Sequence, residues 1–243
     1  MILKICGITN QEDATAAVEA GANAIGFNFY PGSPRYIAPE RAAEIGTPAG
    51  VRRVGVFVNE ARERVEETAR MAALGVAQLH GDETAAEYPS GMAVWKGLRV
   101  TAEFDFSRFD ECPAEALLLD GPAGELYGGA GKSFDWSLAS AAAPRFGRAL
   151  PVGRTSRSAF FNRNPRLLPG KKAGGPTNTV GTPARPTRII LAGGLDASNV
   201  ARAIALAHPW GVDACSRIET APGKKDRIKM KAFLEAAGAA LGA

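Results

Sequence analysis

Short apolar runs recur along the chain, beginning near Ile2, Ala24, Arg53, Val76, Ala93, Ala116, Arg188 and Gly211, and each gives way to a stretch of helical composition or period. Successive runs start 17 to 29 residues apart, the interval of a strand-plus-helix unit, except for one gap of 72 residues between Ala116 and Arg188. An eightfold alternation of this kind predicts an α/β fold closed as a parallel (β/α)8 TIM barrel rather than an open sheet. With 243 residues, 46% of them hydrophobic, the chain can bury one large core, so residues 1–243 are expected to form a single barrel domain.

Local signals place the first and last helices. Thr9-Asn10 can cap a helix over Gln11–Ala20 that Gly21 ends. Ile228–Leu241, Ala-rich with Met230, Phe233, Leu234 and Ala237 at helical spacing, reads as the closing helix. The long gap holds something different. From Pro144 to Pro186 the chain is rich in Pro, Gly, Ser, Thr, Asn and Arg with little periodicity, so residues 144–187 are expected to form a loop or disordered insertion between the sixth helix and the seventh strand. A helix-to-strand connection lies on the N-terminal face of a barrel, away from the loops that carry chemistry.

Charge changes the picture once it is located. The formal charge is +4 and the sequence pI about 9.1. Between Trp136 and Leu195, however, ten cationic side chains occur with no Asp or Glu, so the rest of the chain is net acidic. The basic pI therefore describes the insertion, and nucleic acid is disfavoured as a partner. Three widely spaced cysteines, Cys6, Cys112 and Cys215, without a CxxC pair, argue against a disulfide framework or a zinc site and for a reducing, cytoplasmic setting. No cationic leader precedes the first apolar run and no uninterrupted apolar stretch reaches about 18 residues, so neither secretion nor a membrane partner is expected.

Reactive or flexible residues stand where the expected strands end: Cys6-Gly7, His80-Gly81, Asp120-Gly121, Gly193-Gly194 and Cys215-Ser216. Singly, each has an ordinary structural explanation, since a strand-end cysteine is commonly buried core, a histidine can fix a loop and an aspartate can cap a helix. Together they converge on one mouth of a barrel, the face on which barrel enzymes build their sites. There Cys6 can act as a base only as a thiolate, which needs positive potential or hydrogen-bond donors to bring its pKa below about 8.5. Asp120 can act as an acid only if partial desolvation keeps it protonated near neutral pH. Leu191-Ala-Gly-Gly-Leu195 and the turn at Cys215-Ser216 offer backbone N–H groups to a phosphate. Gly128 to Ser133 looks superficially like a nucleotide loop, but Leu126 stands where its first Gly is required, which disfavours nucleoside triphosphates.

The order of several short stretches resembles the phosphoribosylanthranilate isomerase family. These are Lys4 to Thr9 (KICGIT), Gly26 to Tyr30 (GFNFY) with Ser33 to Ile37 (SPRYI), Val54 to Asn59 (VGVFVN), Gln78 to Gly81 (QLHG) and Leu118 to Asp120 (LLD). Gly128 to Trp136, Leu191 to Leu195 and Pro222 to Asp226 (PGKKD) follow, and only roughly Pro144 to Thr187 is left out. The resemblance implies an isomerase of tryptophan biosynthesis. Its reaction is an Amadori rearrangement of N-(5-phosphoribosyl)anthranilate to 1-(2-carboxyphenylamino)-1-deoxyribulose 5-phosphate, with no metal or organic cofactor. It further implies Cys6 as general base, Asp120 as general acid and Arg35 on the anthranilate carboxylate, a planar anion suited to a guanidinium fork. His80, Gly193, Gly194, Asp213, Cys215 and Ser216 would surround the substrate. The expected partner is a phosphorylated small molecule, and the expected assembly a monomer or a homodimer.

The eighth strand departs from the family pattern. Val212-Asp-Ala-Cys-Ser-Arg-Ile-Glu219 stands where the family usually has Val-Asp-Val-Ser-Ser-Gly-Val-Glu, so Cys215 and Arg217 replace Ser and Gly. If the family glycine uses positive φ or admits phosphate closely, Arg217 strains or obstructs the loop; otherwise its cation can reinforce phosphate binding. Two rival readings remain open. One is a related aminosugar-phosphate isomerase, as in histidine biosynthesis, whose members typically pair carboxylates where this chain has Cys6. The other is a catalytically impaired barrel that binds polyanions through its basic insertion.

Overall fold

The computed structural model describes residues 1–109, 112–121, 135–139 and 188–242. Its parallel strands are β1 (Ile2–Cys6), β2 (Ala24–Asn28), β3 (Arg52–Phe57), β4 (Val76–Leu79), β5 (Ala93–Arg99), β6 (Ala116–Asp120), β7 (Arg188–Leu191) and β8 (Gly211–Ala214). They pair in chain order and close into a barrel, β8 against β1. The starts agree with the apolar runs, β3 beginning one residue earlier than the pattern indicated.

The helices are α1 (Gln11–Glu19), α2 (Pro39–Glu44), α3 (Arg62–Met71), α4 (Val200–Ala207) and α5 (Arg227–Gly242), and residues 136–139 are also helical. At the start of α1, Asn10 Oδ1 accepts the Asp13 N–H at 2.8 Å, as a cap should, and Gly21 beyond its end takes φ +106. The helical stretches expected after β4 and β5 are corrected to single 3₁₀ turns, Ala85–Glu87 and Phe106–Phe109. Between Leu79 and Ala93 the chain is too short for a helix and two loops, and Pro89 and Gly91 interrupt it. The expected insertion at 144–187 and the Gly128 to Ser133 loop lie outside the described residues. No helix among the described residues is long and apolar enough to cross a membrane.

Side chains alternate across each strand. The outward set, including Ile5, Ile25, Phe27, Leu79, Leu117 and Leu119, packs with Ala17, Val65, Ala203 and Phe233 of the helices in one large core. Each such Ile, Leu or Phe contributes about 1.5–3 kcal/mol by leaving water. The inward set at the N-terminal end forms a separate cluster of Ile2, Ala24, Val76, Trp95, Ala116 and Ile190. Trp95 plugs this end, edge-on to Trp210 with centroids 6.0 Å apart, and its Nε1 donates to Glu115 at 2.9 Å. Two and four residues further along, the same face becomes polar: Lys4 and Cys6 follow Ile2, Gln78 and His80 follow Val76, Asp213 and Cys215 follow Gly211. The barrel is filled with apolar side chains at one end and gathers polar ones at the other.

Candidate active site

Strand register brings Lys4 opposite Asp213, and the Lys4 ammonium donates to Asp213 Oδ2 at 2.8 Å with Lys4 fully buried. Cys6, two residues on, faces Gly26 across the β1–β2 pair. A Cβ at Gly26 would stand 2.8 Å from Cys6 Sγ and 3.1 Å from Lys4 Nζ, so the glycine is what makes room for both groups. Cys215 follows β8, next to Cys6. The Cys6 thiol is held well below its ordinary pKa, first by a hydrogen bond from the Cys215 thiol; burial opposes this, and the Lys4 and Lys225 cations reinforce it. Cys215 is pushed well above its ordinary value, by that same bond and by burial. The two thiols are thus pushed apart, Cys6 toward its anionic form and Cys215 toward its neutral one. The Asp213 carboxyl is pushed up to about 7, chiefly by burial, with the Lys4 charge pulling it down and the Cys6 and Asp120 charges adding to the rise.

Arg35 reaches the mouth from the segment after β2. Its Nε donates to Glu219 Oε1 at 3.0 Å and its Nη2 to Glu219 Oε2 at 2.8 Å, while the buried Lys225 donates to Glu219 Oε1 at 2.7 Å. Burial pushes the Glu219 carboxyl up, but the Arg35 bonds and the Lys225 charge outweigh it and leave it below its ordinary value. Gly7, at φ +74, allows Arg35 to lie here, because a Cβ at that position would stand 2.8 Å from Arg35 Cδ. The family resemblance implied Arg35 as the partner of the anthranilate carboxylate. In the structure one edge of the guanidinium already belongs to Glu219, and the Nη1 side faces away from that pair.

His80, directly after β4, lies over Gly97 of β5, where a Cβ would come within 2.5 Å of its ring. Its Nδ1 is 3.1 Å from Gln78 Nε2, and its Nε2 is 3.5 Å from Asp120 Oδ2. The ring is thus held between the Gln78 amide on one side and the Asp120 carboxyl on the other. The loop beneath is clamped by Glu83, which accepts from the Asn59 N–H at 2.7 Å and the Gly81 N–H at 3.0 Å and pairs with buried Lys96 at 2.6 Å.

After β7, Gly193 and Gly194 take φ +77 and +63, and the Gly194 carbonyl accepts from Asn199 Nδ2 at 2.8 Å. Two successive left-handed glycines present backbone amides without a side chain in the way. After β8, Ser216 to Ile218 form a 3₁₀ turn. Arg217 is not among the described residues with positive φ, and its Nη1 donates to Asp196 at 3.3 Å with the side chain half exposed. The strain that replacement of a family glycine suggested is therefore absent, because this turn uses ordinary right-handed backbone. Among the described residues no group of three His, Cys, Asp or Glu side chains is placed to hold a metal ion.

Residues 3–147 and 178–236 match the family model described as N-(5'-phosphoribosyl)anthranilate (PRA) isomerase. The chain belongs to this family. It is 58% identical over 243 residues to the N-(5'-phosphoribosyl)anthranilate isomerase of Solibacter usitatus (strain Ellin6076), covering 100% of both chains. Among solved structures it is similar to phosphoribosyl anthranilate isomerase from Thermotoga maritima, with 36% identity, a TM-score of 0.76, and coverage of 98% of this chain and 100% of that one. A phosphoribosyl anthranilate isomerase in complex with reduced 1-(o-carboxyphenylamino)-1-deoxyribulose 5-phosphate is 34% identical with a TM-score of 0.73, covering 98% of this chain and 100% of that chain.

For this member of the phosphoribosylanthranilate isomerase family, the structure gathers Cys6, Asp213 and Cys215 into one group, sets His80 beside Asp120, and ties Arg35 to Glu219. Sequence reasoning did not single out Lys4, Lys225 or Gln78 as parts of these networks. A signal existed for two of them. Lys4 and Gln78 are polar interruptions of apolar runs, two residues before Cys6 and His80, and a period of two puts them on the same inward face.

Proposed function

We propose that the chain converts N-(5-phosphoribosyl)anthranilate to 1-(2-carboxyphenylamino)-1-deoxyribulose 5-phosphate in tryptophan biosynthesis, with Asp120 as general acid and Cys6 as general base. The observation that carries this reading is the placement of Cys6 at the end of β1, where the Cys215 thiol and the Lys4 and Lys225 cations lower its pKa, at one barrel mouth with the buried carboxyl of Asp120 at the end of β6. Asp120 gives its proton to the furanose ring oxygen as the C1′–O bond breaks, leaving a protonated Schiff base. The Cys6 thiolate then takes the C2′ proton, and the released electron pair moves to nitrogen, forming an enolamine that tautomerises to the ketone. An acid and a base so placed each contribute about 10²–10⁴-fold.

Arg35 would meet the anthranilate carboxylate with its free edge, and the amides of Gly193, Gly194 and Ser216 would receive the phosphate. His80 would orient Asp120, and Asp213 would lie beneath the sugar. A base that must stay a thiolate favours a reducing cytoplasm. The decisive test is loss of anthranilate-type fluorescence on mixing the protein with the phosphoribosyl substrate. Absence of turnover, or faster turnover of a histidine-pathway aminosugar phosphate, would overturn the reading.

A further inference from the structure

We propose that Lys4 is a positioning residue of this site, its buried ammonium bridging the Asp213 carboxylate and the Cys6 sulfur so that the sulfur stays an anion where substrate binds. The inference rests on Cys6 as the base. A lysine with no solvent exposure must find anionic partners for its three N–H donors, because an unpaired buried ammonium is costly. Asp213 supplies one partner at 2.8 Å. Geometry points to Cys6 as the next. Nζ and Sγ lie 3.1 and 2.8 Å from the same empty Cβ position on Gly26, so nitrogen and sulfur share one glycine-lined recess.

The other charges around Cys6 leave Lys4 as the cation with most to give. Arg35 and Lys225 also face this region, but both are held by Glu219, at 2.8 and 2.7 Å. Cys215 is pushed above its ordinary pKa by its bond to Cys6 and by burial. Asp213 competes for Lys4, yet burial pushes its carboxyl up to about 7. Near pH 7 the Lys4 charge is thus shared between a partly protonated carboxyl and the sulfur.

The experiment follows carbamidomethylation of Cys6 by iodoacetamide from pH 4 to 9, quantified on the Cys6 peptide by mass spectrometry. Lys4→Met should raise the midpoint by at least about 1 pH unit and slow labelling near pH 6 about tenfold, with the acid limb of kcat/KM moving up alongside. Lys4→Arg should restore most of the shift. Asp213→Asn, by removing the competing anion, should lower the midpoint. If Lys4→Met does not fold, Lys4→Met/Asp213→Asn replaces both buried charges together, and its midpoint must lie above that of Asp213→Asn alone. A folded Lys4→Met protein with an unchanged midpoint overturns the proposal, as does a rise in both single variants, which would mean general loosening. Turnover retained in Cys6→Ser would instead refute Cys6 as the base, while the labelling midpoint still reports on Lys4.

Discussion

Glu219 grips Arg35 along one edge, taking Nε at 3.0 Å and Nη2 at 2.8 Å, and is itself steadied by Lys225 at 2.7 Å. A guanidinium fixed this way loses little freedom when its other edge meets a planar anion. Arg35→Lys keeps the charge but not the fork, so KM for the phosphoribosyl substrate should rise about tenfold or more, the loss of a charge-assisted bond, while kcat falls less. An unchanged KM with a reduced kcat would take Arg35 out of substrate binding.

Cys6→Ser and Asp120→Asn should each lower kcat by at least about 10²-fold with the fold intact. Steady-state kinetics beside circular dichroism and thermal melts checks both halves. Near-parental turnover in either folded variant would remove that residue from its role.

On the proposed reading Cys6 acts only when deprotonated, so activity should be lost as pH falls through the Cys6 pKa, which the Cys215 thiol helps to hold down. Removing the donor raises that pKa. The acid limb of the kcat/KM profile should therefore move to higher pH in Cys215→Ala, and move less in Cys215→Ser, which keeps an O–H donor. Identical limbs in the alanine variant and the parent would deny Cys215 this effect.

At the loops proposed to receive phosphate, Gly193 and Gly194 sit at φ +77 and +63, whereas the turn carrying Arg217 has no positive φ. Gly194→Ala should cost about 1 kcal/mol of stability and raise KM, since an L side chain resists that backbone. Arg217→Gly should leave KM within about threefold and alter stability by no more than about 1 kcal/mol, the scale of a half-exposed ion pair. A KM that drops sharply on that change would revive obstruction by Arg217.

Asp213 gives a pH dependence of stability with a definite sign. Its folded pKa, about 7, lies above the ordinary 3.8, so its contribution is full below about pH 4 and is lost as pH rises toward 7. Asn cannot ionise. The melting temperature of Asp213→Asn minus that of the parent should thus grow more positive from pH 4 to pH 7 by calorimetry, and a difference that stays flat or shrinks would contradict the raised carboxyl.

The sequence by itself determined the strands and the end of the barrel at which reactive side chains gather. Apolar runs bounded by breakers located all eight strands, and the position of Cys6, His80, Asp120 and Cys215 at strand ends placed them at one mouth. It overestimated the links after β4 and β5, because helical composition persists in segments too short to complete a helix and its loops. Only the tertiary structure decided who pairs with whom. Lys4 meets Asp213 across 209 residues and Arg35 meets Glu219 across 184, contacts that exist because β8 closes on β1 in one register. Local pattern encodes which way a side chain points, whereas the charge state of a buried thiol depends on groups that only closure of the barrel brings within reach.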